Sequence, residues 1–433
     1  MGKSMVVYVM GLSVIIAYLF ININHSSTSS MDTYSTYYGQ SMAHNIALAG
    51  ANVGTQLLLQ NPTYSTNLLN QPFADGKYDM VITRPAGSDS VFISSISRIN
   101  VSEQEIRDTV DAILKHTSFS KYGYFSDKEI VGYWDPNGNP GPNNGQNVWW
   151  ITGDSVYGFA HTNGKFNLAG APYFRDKVTA TNAPTLMTYL GLMAPIYASG
   201  YQWGITVSRP AANLTNIQTA AQSAGSLIDL NTDVAMTFFA DGKVHTRIPP
   251  TGPALRNDTL PLSVLAPTGI IAVRNGDVRA KGVYHGKVTV AAFKGSNMNK
   301  GNIWIDGDGI VAAIDPKGNP YSPDMLGLVA ERVIYLTRDL TRTPASIVNI
   351  QAAMYSHVGV FTAEEYWKPG IFGKIILFGS LTQINRGPVG TFSSGGISTG
   401  FYKSYRHDSR FLTQAPPVFP VSDKYELVSW WEK

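Results

Sequence analysis

Between Met5 and Ile21 the chain runs for 17 residues without a charge, MVVYVMGLSVIIAYLFI. At about 1.5 Å of rise per residue this makes roughly 26 Å of apolar rod, close to the ~30 Å hydrocarbon thickness of a bilayer. A helix that is apolar all round needs lipid or other apolar helices about it. Lys3 is the only charged side chain ahead of the run, and apart from His25 none follows before Asp32. Basic before and uncharged after points the bulk of the chain away from the cytoplasm.

A cleaved signal peptide has a shorter apolar region and a small-x-small cleavage triplet. No such triplet lies between Val14 and Asn24. Beyond the run, apolar and small residues recur at Met31, Tyr34, Tyr38, Met42, Ile46, Ala49, Val53 and Leu57, in steps of three and four. That is a helical stripe, stopped by Asn61-Pro62. Residues 4–60 therefore read as one retained rod, with its membrane-spanning part at 4–23.

Residues 61–117 are expected to form a small α+β module. Tyr78–Thr83 and Ser90–Ile99 read as strands. Ser102-Glu103-Gln104-Glu105 matches a capping box, and Ile106, Val110, Ile113 and Leu114 share a helical face, which predicts a helix ending near His116. From 118 to 433 the texture is short Val-, Ile-, Phe-, Tyr- and Trp-rich runs between turns, such as Val234–Phe239, Lys287–Ala292 and Asn302–Ile305. Helices are predicted only at Pro184–Ala194 and Leu214–Ala224. The fold class is α+β, a long amino-terminal helix followed by a mostly-β domain, solenoid or sandwich.

Composition narrows the chemistry. The 433 residues carry no cysteine, which removes disulfides, thiolate metal sites and thiol catalysis. A formal net charge of +3, with no basic run, gives nucleic acid no footprint. Asp135-x-Asn137-x-Asn139 opens like a calcium loop, but the sixth and twelfth positions are Pro140 and Gln146 where Gly and Glu are needed. Calcium is thus the one ion with a foothold, and a plain surface loop is the favoured reading. Asp306, Asp308 and Asp315 offer carboxylates for a cation or an acid–base pair on a glycan, against the simpler reading that Asp306-Gly307-Asp308-Gly309 is a turn joining two strands. Glu364-Glu365 is a weaker pair. His161 has no second histidine at metal-ligand spacing and reads as structural. Gly396-Ile397-Ser398-Thr399-Gly400 matches the nucleophile-elbow letters without the strand–turn–helix context. Asn24, Asn100, Asn213 and Asn257 begin glycosylation sequons.

The stretch Ala43-His44-Asn45-Ile46-Ala47-Leu48-Ala49-Gly50-Ala51-Asn52, continuing an apolar amino-terminal segment, resembles PilX-like type IV pilus assembly proteins and large pseudopilins. Asp154–Phe174, Val283–Ala292, Gly301–Ile310, Met325–Ala330, Tyr405–Pro420 and Trp430-Trp431 resemble the ectodomain of long PilX-like proteins. The resemblance implies a rod inserted in the inner membrane and then extracted into a helical filament. It implies no catalysis, no cofactor, and a place at the cell surface. The partners it implies are copies of the chain or kindred subunits, together with a pilus or type II secretion-like assembly machinery. The residues expected to line the membrane or filament core are Met5, Val6, Val7, Val9, Met10, Gly11, Val14, Ile15, Ile16, Leu19, Phe20 and Ile21, then Met42, Ile46, Ala49, Gly50, Val53 and Leu57. Gly11, Ser13, Ala17, Gly50 and Gly54 are small enough to let neighbouring helices approach. Two features depart from the family, one being a length of 433 residues, large for a main shaft subunit. The pilin glutamate at the fifth mature position is replaced by Val7, if Gly2-Lys3 is cleaved, or by Met5. Its loss implies a first-in, tip-located or otherwise non-standard subunit. The alternative reading is an anchored β-solenoid that binds or degrades polysaccharide.

Overall fold

A computed structural model describes residues 2–85, 90–101, 104–133, 135, 137, 139–207 and 214–432. The chain divides into two compact units, one of residues 1–117 with 423–433 and one of residues 118–422. This differs from the sequence expectation. The last strand belongs with the first unit, and residues 1–60 are not a separate domain from the module that follows.

In the first unit, α1 (Gly2–Gln60) is a single helix of 59 residues. It is followed by the antiparallel strands β1 (Leu68–Phe73), β2 (Gly76–Thr83), β3 (Ser90–Val101) and β4 (Gln104–Ser118). The carboxyl-terminal strand Val421–Glu432 completes the five-stranded sheet beside β4. The helix predicted over 102–116 is a strand. Ser102, its proposed cap, lies outside the described residues. Ile106, Val110, Ile113 and Leu114 mimic a helical spacing, but the buried set alternates as Val110, Ala112 and Leu114. β3 supplies an antiparallel partner in continuous register from Ser90↔Lys115 to Val101↔Gln104. A complete ladder with β-branched residues on it outweighs a local capping pattern.

The last third of α1 lies on this sheet, and the face it turns inward is built of small residues. Gly39, Ala43, Ile46, Ala47, Gly50, Ala51, Gly54 and Leu58 are buried, in steps of one, three and four. A Cβ on Gly39 would overlap Ile106. One on Gly50 would overlap Ser95 and come within 2.6 Å of Tyr78, and one on Gly54 would lie 3.0 Å from Ile93 and Met80. Gly50 and Gly54 thus admit this chain's own sheet, where the sequence suggested room for a neighbouring helix. Ile46 and Leu58 join Tyr78, Met80, Val91, Ile93, Ala112, Leu114 and Tyr425 in one core. His44 adds a directed contact, its Nδ1 lying 2.8 Å from Asp108 on β4.

The second unit is built mainly from parallel ladders, with antiparallel pairings at Val234–Phe238, Lys243–Ile248 and Arg256–Pro261 and at Gly390–Ser393 with Gly396–His407. Strand Ile270–Arg274 pairs with Lys287–Phe293, which pairs with Met325–Ala330, and that with Ala353–Ser356, each parallel. A second ladder runs from Val234–Phe238 through Val278–Tyr284, Ile303–Ala312 and Ile334–Leu336 to Phe361–Ala363. Residues 150–187 advance evenly. Trp150 lies opposite Leu168 and Ala160 opposite Val178, an offset of 18 in both cases (168 − 150 and 178 − 160). Inward side chains of successive strands stack into one long apolar core that includes Trp150, Phe174, Val290, Leu328 and Ile375.

Two sequence expectations fail in this unit. Pro184–Ala194 holds the strand Thr185–Met187 and a tight reversal at Leu190-Gly191, both with positive φ, and no helix. Asp306-Gly307-Asp308-Gly309 does not join two strands. It is an irregularity inside the single strand Ile303–Ala312, where the register against Val278–Tyr284 shifts between Ala280 and Gly282. The helix predicted at Leu214–Ala224 is present as Leu214–Ser223, and its Leu214, Ile217 and Ala221 pack on the outside of the Ile270–Arg274 ladder.

The stack does not follow chain order. The late strand Gly370–Asn385 pairs with the early strand Tyr124–Lys128, and Gly396–His407 pairs with Ser155–Tyr157. Two buried ion pairs lie at this seam. Arg386 Nη1 donates to Glu129 at 2.7 Å, with both side chains no more than 2% exposed, and its guanidinium lies 3.9 Å from the centre of the Trp150 ring. Lys403 Nζ lies 2.8 Å from Asp154. Tyr124 and Ser126 hydroxyls donate to the other Glu129 oxygen.

Two outcomes follow from this packing. Gly50→Leu should destabilise the first unit by about 1–3 kcal/mol through overpacking, whereas Gly11→Leu, with open space around it, should change nothing; urea unfolding of the full chain in detergent reads both. Arg386→Met, which strands the Glu129 carboxylate in the core, should cost the second unit about 3–5 kcal/mol. The paired Arg386→Met/Glu129→Leu variant should recover most of that loss in the same measurement.

Candidate functional site: an uncovered apolar helix

From Met5 to Ile23 every large apolar side chain of α1 is exposed, by between 45% and 80%. These are fifteen side chains on one continuous rod. The largest apolar patch on an ordinary soluble monomer is about 300–600 Å², which this run exceeds. The helix is long and apolar enough to cross a membrane. Its backbone hydrogen bonds are internal, the condition for sitting in lipid. Some of the hydroxyls are satisfied in the same way. Ser13 Oγ donates to the Val9 carbonyl at 2.8 Å, and Thr28, Ser30, Thr33 and Thr36 each donate to the carbonyl four residues back.

The predicted core residues separate into two sets. Met5, Val6, Val7, Val9, Met10, Gly11, Val14, Ile15, Ile16, Leu19, Phe20 and Ile21 stand free of the sheet. Ile46 and Gly50 are buried on the sheet, Met42, Ala49 and Leu57 are half-buried, and Val53 is 38% exposed. The predicted stripe of 31–57 is thus displaced from the face that packs. Large residues mark one side of the helix, but the sheet selects the small ones because backbone and sheet approach closely there.

The candidate ligand residues do not converge. Asp135 Oδ1 accepts the backbone N–H groups of Asn137 and Asn139 at 2.9 and 2.8 Å, so the carboxylate organises its own turn. Asp306 is gripped by Arg279 through two contacts of 3.0 Å and by the Thr337 hydroxyl. Asp308 is exposed, and Asp315 accepts from Gln351 and from the Lys317 backbone. Among the described residues no three His, Asp or Glu side chains gather as a metal site. Glu364 accepts from the Arg338 backbone, and Glu365 pairs with Arg338 and Lys368. Ser398 lies in the strand Gly396–His407 of an antiparallel hairpin, without the sharp turn a nucleophile elbow requires. Of the sequons, Asn24, Asn100 and Asn257 are exposed, and Asn213 lies outside the described residues.

His161 is fully buried against Phe125, with Nδ1 2.7 Å from Thr179 and Nε2 3.0 Å from Asn163. Burial lowers its pKa, and burial likewise lowers that of His407, whose ring bonds the Ser120 carbonyl. Sequence reasoning found neither the Arg386–Glu129 nor the Lys403–Asp154 pair, because the partners are more than two hundred residues apart.

The unfolded chain protonates both histidines near pH ~6.5, whereas the buried rings take a proton only at lower pH. Their contribution to stability is complete above that value and is lost as pH falls from it through the lowered folded values. The thermal midpoint of the second unit should therefore fall between about pH 7 and about pH 5, and a His161→Gln variant should show a smaller fall.

No family model matches the chain, and no curated protein or solved structure is similar to it.

Proposed function

We propose that this chain is a non-catalytic structural subunit of a pilin-like extracellular filament, carried first in the inner membrane by α1 and then packed through the same helix among rods of like subunits. The observation that carries the reading is the contrast along α1: an uncovered apolar run from Met5 to Ile23, then a last third fitted to the chain's own sheet. One end is committed within the subunit, and the other is free for lipid or for copies of itself. Exchanging lipid for other apolar helices leaves the internal backbone bonds intact, and small residues such as Gly11, Ser13 and Ala17 suit close helix approach. In this reading the carboxyl-terminal units face outward at the cell surface, and the second is a β-solenoid. Its parallel ladders and the 18-residue advance of residues 150–187 support a solenoid over a sandwich, whose sheets are antiparallel.

Imaging of sheared surface filaments, with mass identification of their subunit, tests the proposal. The full chain should be found in the filaments; recovery solely from detergent-solubilised membrane would refute it. Val14→Lys, which places a charge at mid-helix at a cost of about 3 kcal/mol in a bilayer, should abolish filaments. The second unit should remain folded, as judged by its unchanged near-ultraviolet circular dichroism.

A further inference from the structure

On the second unit, where the early and late strands meet, Arg406, Tyr157 and Arg175 form one row across three neighbouring strands. Arg406 is opposite Tyr157 in the parallel register, and the Arg175 N–H donates to Val156 on the next strand. With strands about 4.8 Å apart, the two arginines start about 10 Å from one another on the same outward row. The Arg406 guanidinium lies 4.9 Å from the centre of the Tyr157 ring. The row borders a groove of about 640 Å³, which Lys317 also lines. That is the size of a small-ligand site.

The charge of this groove is not balanced. Arg175, Lys317 and Arg406 are exposed and have no hydrogen-bonded or ion-paired acid among the described residues. Among the described residues Asp176 is the one carboxylate on the lining, and it accepts the Gly158 N–H at 2.6 Å. Elsewhere in the unit some exposed cations sit on acids, as Arg274 does on Asp229 and Lys243 on Asp241, and others on amides, as Lys177 does on Gln202. Phe159 and Phe378 supply apolar wall between the cations.

We propose that this groove binds an acidic saccharide chain, its carboxylate or sulfate groups held by the forked guanidinium groups of Arg175 and Arg406 and by the Lys317 ammonium. The apolar wall accepts the C–H faces of sugar rings. A nucleic acid fits less well: the Tyr157 ring already faces Arg406 and Tyr173, so a base would have to displace one of them to stack there. The assignment does not depend on filament assembly, because every residue it uses lies within 118–422.

Calorimetric titration of the full chain in a neutral detergent tests it, with hexagalacturonate, a heparin hexasaccharide, neutral cellohexaose, oligothymidylate and inorganic phosphate as probes. At least one acidic hexasaccharide should bind, and raising salt from about 50 to about 300 mM should weaken it. Cellohexaose should not bind. Arg175→Gln and Lys317→Gln, each removing a charge-assisted contact, should each weaken binding by roughly tenfold. Among the described residues neither side chain has a protein partner, so an unchanged thermal midpoint should show the fold intact. Failure of both acidic hexasaccharides to bind would overturn the proposal. So would equal binding of cellohexaose, of oligothymidylate or of phosphate alone, or unchanged affinity in both variants.

Discussion

Glu129 and Arg386 are a carboxylate and a guanidinium buried together at 2.7 Å, and neither can be withdrawn without leaving a bare charge in an apolar core. Parallel ladders of Val, Ile and Leu are tolerant of slippage, since one apolar row packs on another about as well as the next. A charge pair is not tolerant: it meets its partner in a single register. Placed where Tyr124–Lys128 meets the end of Gly370–Asn385, the pair specifies which strand follows which. Lys403 and Asp154 repeat the device on the neighbouring strands. The Trp150 ring lying against the Arg386 guanidinium adds a cation–π contact that is directional in the same sense.

The first unit meets a similar closure by different means. Its sheet is incomplete until Val421–Glu432 returns to β4, and its helix is positioned by the absence of side chains. Ala43, Ala47, Gly50, Ala51 and Gly54 bring the α1 backbone close to β2 and β3. His44 on Asp108 and Arg84 on Tyr425 then supply polar contacts between distant parts of the chain. Both units therefore rest on pairings between residues remote in sequence, which carry a large chain-closure entropy.

The rod divides the labour of the molecule. Packing fixes the last third, while the described side chains of the first third have no tertiary partner and the helix there holds together through its own backbone bonds. Two of the acids that looked suited to chemistry stand in fixed structural roles, Asp135 in its turn and Asp306 under Arg279. Arg406 and Arg175, without an acidic partner among the described residues, lie with Tyr157 on an outward row that exists only because three strands from two parts of the chain are stacked.

Alone, the sequence determined the α+β class, the uninterrupted helix to Gln60, the Leu214 helix and several of the strands, because those depend on local periodicity, on turn residues and on Asn61-Pro62. It was misleading at 102–116 and at 184–194, where a neighbouring strand overrode a helical spacing. It also gave no sign of which face of α1 packs, since hydrophobic pattern marks large residues and this interface is made of small ones. The order of the stack, the return of the last strand, the buried pairs and the basic row were decided by tertiary structure, for one reason. Each joins residues far apart in the chain, and no local rule of spacing reaches across such a distance.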